Sequence, residues 1–99
     1  MERTNKLRTT VTIAGQIKDS SNNALTNVVV VLISPPGVVL TSTTDAEGNY
    51  SFIVAPSEHG YRVIPSREGF VFEPVDRVLP GLRDDQKGKD FRGSPHPTP

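Results

Sequence analysis

Cysteine and tryptophan are both absent from this 99-residue chain, and methionine occurs once. Without cysteine there is no disulfide framework and no thiolate metal site. Eleven lysines and arginines are matched by eleven aspartates and glutamates, so the formal charge is zero. That balance removes the electrostatic case for nucleic acid or an anionic membrane as partner. No apolar run approaches the roughly eighteen residues of a membrane helix, so membrane insertion is not expected. The opening "MERTNKLRTT" carries charge but no apolar stretch of signal-peptide length. On this reading the chain is soluble, and action outside a cell requires that it be cut from a larger precursor. Helical periodicity is missing as well. Nine prolines and eight glycines interrupt the chain too often for long helices.

What is present is a series of short β-branched and aromatic runs separated by turn residues. "TTVTIAGQIK" places Val11, Ile13 and Ile17 on one parity and Thr12, Gln16 and Lys18 on the other, the mark of a strand with one buried face. "DSSNNA" follows as a turn whose side chains bond their own backbone. "NVVVVLI" predicts a strand from about Val28 to Ile33, stopped by Pro35-Pro36-Gly37. "VVLTSTT" and "NYSFIVA" are the third and fourth strands, with "DAEG" between them, and they are expected to pair antiparallel across that turn. "GYRVIPS", "GFVFEP", "DRVLPGL" and "GKDFRG" complete the series before "SPHPTP", which has the composition of an extended linker.

Strands at spacings near ten residues predict an all-β fold, an antiparallel Ig-like or prealbumin-like sandwich of approximately seven strands. Taking one parity throughout, the expected core is Val11, Ile13, Ile17, Leu25, Val28, Val30, Leu32, Tyr50, Phe52, Tyr61, Val63, Phe70, Phe72, Leu79 and Phe91. The expected organisation is a flexible segment over 1–9, the sandwich over 10–93, and a proline-rich tail over 94–99.

From Gly15 to Gly93 the chain resembles the carboxypeptidase regulatory-like domains, which share a prealbumin-like sandwich with the collagen-adhesin B-type repeats. The matching pieces are "GQIKDSSNNALTNVVVVL", "TSTTDAEGNYSF", "GYRV", "EGFVFEP" and "KDFRG", in that order. The resemblance implies a non-catalytic spacer, stalk or accessory module of a larger secreted or cell-surface protein. It implies no enzyme activity and no cofactor.

Several residue groups suggest chemistry and need weighing. In "TTDAEGNYSF", Asp45, Glu47 and Asn49 alternate as calcium ligands do. A calcium loop starting at Asp45 would need glycine at its sixth position and glutamate at its twelfth, where this sequence has Tyr50 and Pro56. The alternative is a turn in which Asp45 bonds the backbone, Gly48 takes a positive φ and Tyr50 restarts the strand. Ser57, Glu58 and His59 sit side by side, but a triad recruits residues from separate segments. The only other histidine, His96, lies in the proline-rich tail, so zinc donors are too few. No catalytic, cofactor-binding or metal-binding residues are therefore assigned.

The resemblance also implies a chemistry to check, the self-formed Lys–Asn/Asp crosslink of the B-type repeats, promoted by a buried glutamate. Aligned on the turn and strand motifs, the reactive lysine falls at Ala14 and the glutamate at Val54. Asp90 could match the acceptor but has nothing to react with. Glycan binding is unsupported, since platforms for sugars use exposed aromatic rings and all six aromatics here fall on the core parity.

One feature does not fit a bland module. Opposite the core parity in "NVVVVLI" stand Val29, Val31 and Ile33, where a half-exposed strand normally carries threonine or serine. Either the strand lies centrally and tolerates this, or these residues form an interface with a neighbouring domain or a second copy, beside Val38-Val39-Leu40. The runner-up function is a protein- or carbohydrate-binding module.

Overall fold

"VTIAGQIKD" forms the longest strand, β1 (Val11–Asp19), and the rest of the domain is built against it. Val11, Ile13 and Ile17 are buried, while Thr12, Ala14, Gln16 and Lys18 lie on the other face. The inward position between Ile13 and Ile17 is Gly15, and its missing side chain matters. A Cβ there would strike the Lys89 carbonyl and the Tyr50 ring. Tyr50 is the cross-strand partner of Gly15, so an aromatic ring fills the space that the glycine leaves.

The computed structural model describes residues 10–34 and 37–95, and the expectations for segment 1–9, for Pro35 and Pro36 and for 96–99 lie outside it. Eight strands are present among the described residues, and the fold is all-β. After β1 come β2 (Val29–Ser34), β3 (Val38–Thr43), β4 (Asn49–Val54), β5 (Tyr61–Ser66), β6 (Phe70–Glu73), β7 (Arg77–Leu79) and β8 (Phe91–Pro95). They form two four-stranded sheets, β4-β1-β8-β6 and β3-β2-β5-β7. β8 runs two residues past the boundary expected at Gly93.

The core between the sheets follows the alternation closely. Val28, just ahead of β2, and Val30 and Leu32 of the second sheet share one core with Ile13, Ile17, Tyr50 and Phe52 of the first. Tyr61 and Phe70, expected in the core, are only partly buried and pack on its margin. The Tyr61 hydroxyl reaches outward to the Ala55 carbonyl at 2.8 Å, and the Arg67 guanidinium covers the Phe70 ring at 4.7 Å. Val54 and Leu82 join the core unexpectedly. Val54 continues the parity of Tyr50 and Phe52. Leu82 lies outside any strand and is held by the Ser57 N–H on its carbonyl at 2.8 Å, so no periodicity marks it.

Two expected pairings are corrected. First, β3 and β4 do not pair across "DAEG". β3 pairs with β2 and β4 with β1, in different sheets. The two sides of the turn are tied to different partners. On one side the Thr44 N–H donates to the Val28 carbonyl at 3.0 Å, and on the other the Ile17 N–H donates to the Gly48 carbonyl at 2.8 Å. The turn is a corner between sheets. Second, the sandwich is not antiparallel throughout, since β8 lies parallel to β1 through Ile17–Phe91, Lys18–Arg92 and Asp19–Gly93.

Thr44 is the one buried polar residue among the described positions, 4% exposed. Its hydroxyl accepts the Val28 N–H at 3.0 Å and donates to the Leu25 carbonyl at 2.8 Å. Thr44→Val keeps the volume but strands both backbone groups, each costing about 1–3 kcal/mol when buried without a partner. We expect urea unfolding to show a loss of about 2–4 kcal/mol, against little change for exposed Thr41→Val.

Candidate functional site

The "DSSNNA" and "TDAEGN" turns share one hydrogen-bond pattern. Asp19 Oδ1 accepts the N–H groups of Ser21 and Asn23, both at 2.9 Å. Asp45 Oδ1 accepts those of Glu47 and Asn49 at 3.0 and 2.9 Å. The fourth residue counted from each aspartate takes a left-handed conformation, Asn22 at φ 70° and Gly48 at φ 79°. At Gly48 only glycine fits, because a Cβ would run into the Ile17 carbonyl. The carboxylates thus spend an oxygen on their own backbones, as the turn reading of Asp45 and Gly48 requires.

Ser57, Glu58 and His59 remain a loop. The His59 backbone N–H donates to Ser57 Oγ at 3.1 Å, so the hydroxyl serves as a turn acceptor. The positions raised by the crosslink comparison are likewise committed to the ladder. Ala14 pairs with Ser51, and Val54 is buried opposite Val11. Lys18 stands opposite Arg92, and Asp90 Oδ1 accepts the Gln16 N–H at 2.8 Å. No group of three or more histidine, cysteine or carboxylate side chains suited to a metal ion occurs among the described residues.

Tyr50 is a perturbed ionisable group. Its hydroxyl donates to the Lys89 carbonyl at 2.5 Å. Burial pushes its pKa well above the ordinary tyrosine value; Arg77 opposes the rise and Asp90 adds to it. The phenol is therefore a structural donor held in its neutral form.

The outer face of β3-β2-β5-β7 carries an aliphatic strip. Val29, Val31 and Ile33 project there together. Val29 is 40% exposed, whereas Val31 and Ile33 are half-buried, because β2 is an inner strand flanked on both sides. Register places Val39 beside Ile33 and Thr41 beside Val31 on one side, and Ile64 beside Val31 on the other. Val78, 64% exposed, continues the face from β7 opposite Arg62. Arg62 closes one margin with a salt bridge to Asp76 at 2.5 Å. Leu40 does not belong to this face. It pairs with Leu32 on the inward parity, and is 41% exposed because β3 is an edge strand. The Val38 side chain lies outside the described positions.

Ile64 and Val78 were missed in the sequence. Their alternation was visible, but which strand lay beside which was not. By contrast, the outer face of β1 carries Thr12, Gln16 and Lys18, the ordinary polar alternation.

A two-sheet β-sandwich with no helix among its described residues thus carries an aliphatic strip across the outer face of its second sheet. The sequence profile of the carboxypeptidase regulatory-like domain matches residues 12–80, and the chain belongs to that family. No curated protein matches the sequence as a relative. The fold is similar to part of the Bacillus anthracis TIE protein, with a TM-score of 0.67 and 14% identity over 96% of this chain. It is also similar to part of a Streptococcal ancillary pilin, with a TM-score of 0.65 and 16% identity over 97% of this chain. The chain spans 19% and 35% of those two proteins, so each contains much besides this fold.

The raised Tyr50 pKa has a definite sign. A phenol whose folded pKa lies above its unfolded value stabilises the fold fully below the unfolded value, about 10. That contribution is lost as pH rises toward the folded value. We expect chemical denaturation between about pH 9 and 11 to show stability falling, and Tyr50→Phe to flatten the fall. Near neutrality the variant should cost about 1–2 kcal/mol for the Lys89 carbonyl left without its donor.

Proposed function

We propose that this domain is a non-catalytic structural or spacer module of a larger secreted or cell-surface protein. The observation that carries the reading is the path of the chain. β1 and β8 are neighbours running in the same direction, so Val11 and Pro95 stand at opposite ends of the sandwich, about 30 Å apart along the strands. A chain that enters at one end and leaves at the other links flanking domains in a row. Family membership, and a fold shared with proteins several times longer, support the same reading. The Ser57 hydroxyl and the Asp45 carboxylate, which suggested a site, accept backbone N–H groups of their own turns.

The finer proposal is that the outer face of β2, with Val29, Val31 and Ile33, contacts a neighbouring domain of the parent protein or a second copy. Val39, Ile64 and Val78 enlarge that face beyond the three residues of β2, and contiguous apolar area of this kind tends to mark contacts. A glycan-binding role has less behind it, since none of the residues paired across that face is aromatic.

Antibody labelling of intact cells expressing the parent protein tests the surface assignment. Signal only after permeabilisation would overturn it. For the contact face, Val29→Thr with Val31→Thr keeps strand propensity while removing apolar area. We expect the double variant to stay folded and to lose self-association, or docking to its flanking domain, by about tenfold in sedimentation. A folded variant with unchanged association would overturn the contact face.

A further inference from the structure

β1 is joined along nearly its whole length to the segment that ends the domain. The Gln86 N–H donates to the Thr12 carbonyl at 2.7 Å, the Ala14 N–H to the Gln86 carbonyl at 2.8 Å, and the Lys89 N–H to the Ala14 carbonyl at 3.0 Å. The parallel pairs of β1 with β8 then continue from Ile17 to Asp19. Where this ladder has no backbone acceptor, carboxylates supply one. Asp85 Oδ1 accepts the Thr12 N–H and Asp90 Oδ1 the Gln16 N–H, each at 2.8 Å. Braces from two other strands hold the same segment. The Tyr50 hydroxyl bonds the Lys89 carbonyl at 2.5 Å, and Arg77 bonds the Asp90 carbonyl through Nε and Nη2 at 3.0 and 2.7 Å.

The direction of these strands decides how the module meets a pulling force. Tension between Val11 and Pro95 draws β1 and the 85–93 segment apart along their own length. In a parallel pair loaded this way no bond sits at a fork, so all of them share the load. An antiparallel pair pulled from one end opens bond by bond.

The geometry points to a load-bearing function: the parallel union of β1 with residues 85–93 is a shear clamp that resists extension between the two ends of the domain. This rests on the reading that the module links flanking domains in a row. It goes beyond that reading by naming the bonds that carry load, and by assigning Asp85 and Asp90 as clamp residues.

Single-molecule force spectroscopy tests it, and the absence of native cysteine makes introduced thiols unique handles. One pair of handles, Thr10→Cys with Pro95→Cys, loads the clamp in shear. The other, Thr10→Cys with Ala55→Cys, peels β1 from β4 at the Val11–Val54 pair. At equal tension the first attachment should survive far longer than the second. Asp85→Ala with Asp90→Ala should shorten the lifetime of the first about tenfold, since forced unfolding follows the unfolding barrier, and should leave the second nearly unchanged. Asn at both positions keeps an acceptor oxygen and should restore most of the lifetime.

Asp45→Ala is the matched control, because it also removes two N–H bonds but outside the clamp. Equal lifetimes in the two directions would overturn the clamp. So would an Asp45→Ala effect as large as that of the double variant. If the double variant does not fold, Asp85→Ala alone carries the same comparison. A clamp that passes while surface labelling of the parent fails would sink the surface assignment and leave the clamp standing.

Discussion

The architecture depends on β1 having a partner on each side and a gap in its own inner face. β4 pairs antiparallel along one edge, and the segment from Asp85 to Gly93 follows the other in parallel. At Gly15 the missing side chain admits both the Tyr50 ring and the Lys89 carbonyl. Any Cβ there would push apart the two partners that close the first sheet. Packing, hydrogen bonding and the placement of β8 therefore converge on one residue that contributes no apolar area of its own.

The two aspartate turns at one end of the sandwich illustrate how polar residues serve a fold with few buried polar groups. Asp19 and Asp45 each bring two backbone N–H groups onto one carboxylate oxygen. Each turn thereby satisfies two of its own backbone donors. The turns differ in what surrounds them. Gly48 is pressed against the Ile17 carbonyl at a corner between sheets, while Asn22 is exposed and tolerates a side chain at positive φ.

The inner strands β1 and β2 differ in what they turn outward. β1 carries alternating polar residues and presents a solvated surface. β2 is valine-rich on both parities, and it holds its inner position with an aliphatic strip facing outward. Its neighbours add Val39 and Ile64 to that strip through cross-strand register. A sequence shows one strand at a time, so a face assembled from four strands is visible in it only as fragments.

Alternation in the chain was sufficient to name the fold class, most of the strands and nearly the whole core, because burial of one strand face leaves a period of two that needs no partner to be read. The turn chemistry of Asp45 and Gly48 was equally local, and so equally legible. Pairing was not. Whether β3 continues into β4 within one sheet or turns a corner depends on Thr44 reaching Val28 while Gly48 reaches Ile17, contacts between residues far apart in the chain. The parallel course of β8, and the use of Asp85 and Asp90 as ladder acceptors, likewise arise between residues more than seventy positions apart. Local periodicity carries no information about such partners. Only the packing of the two sheets decided them, and with them the placement of Val11 and Pro95 at opposite ends of the sandwich.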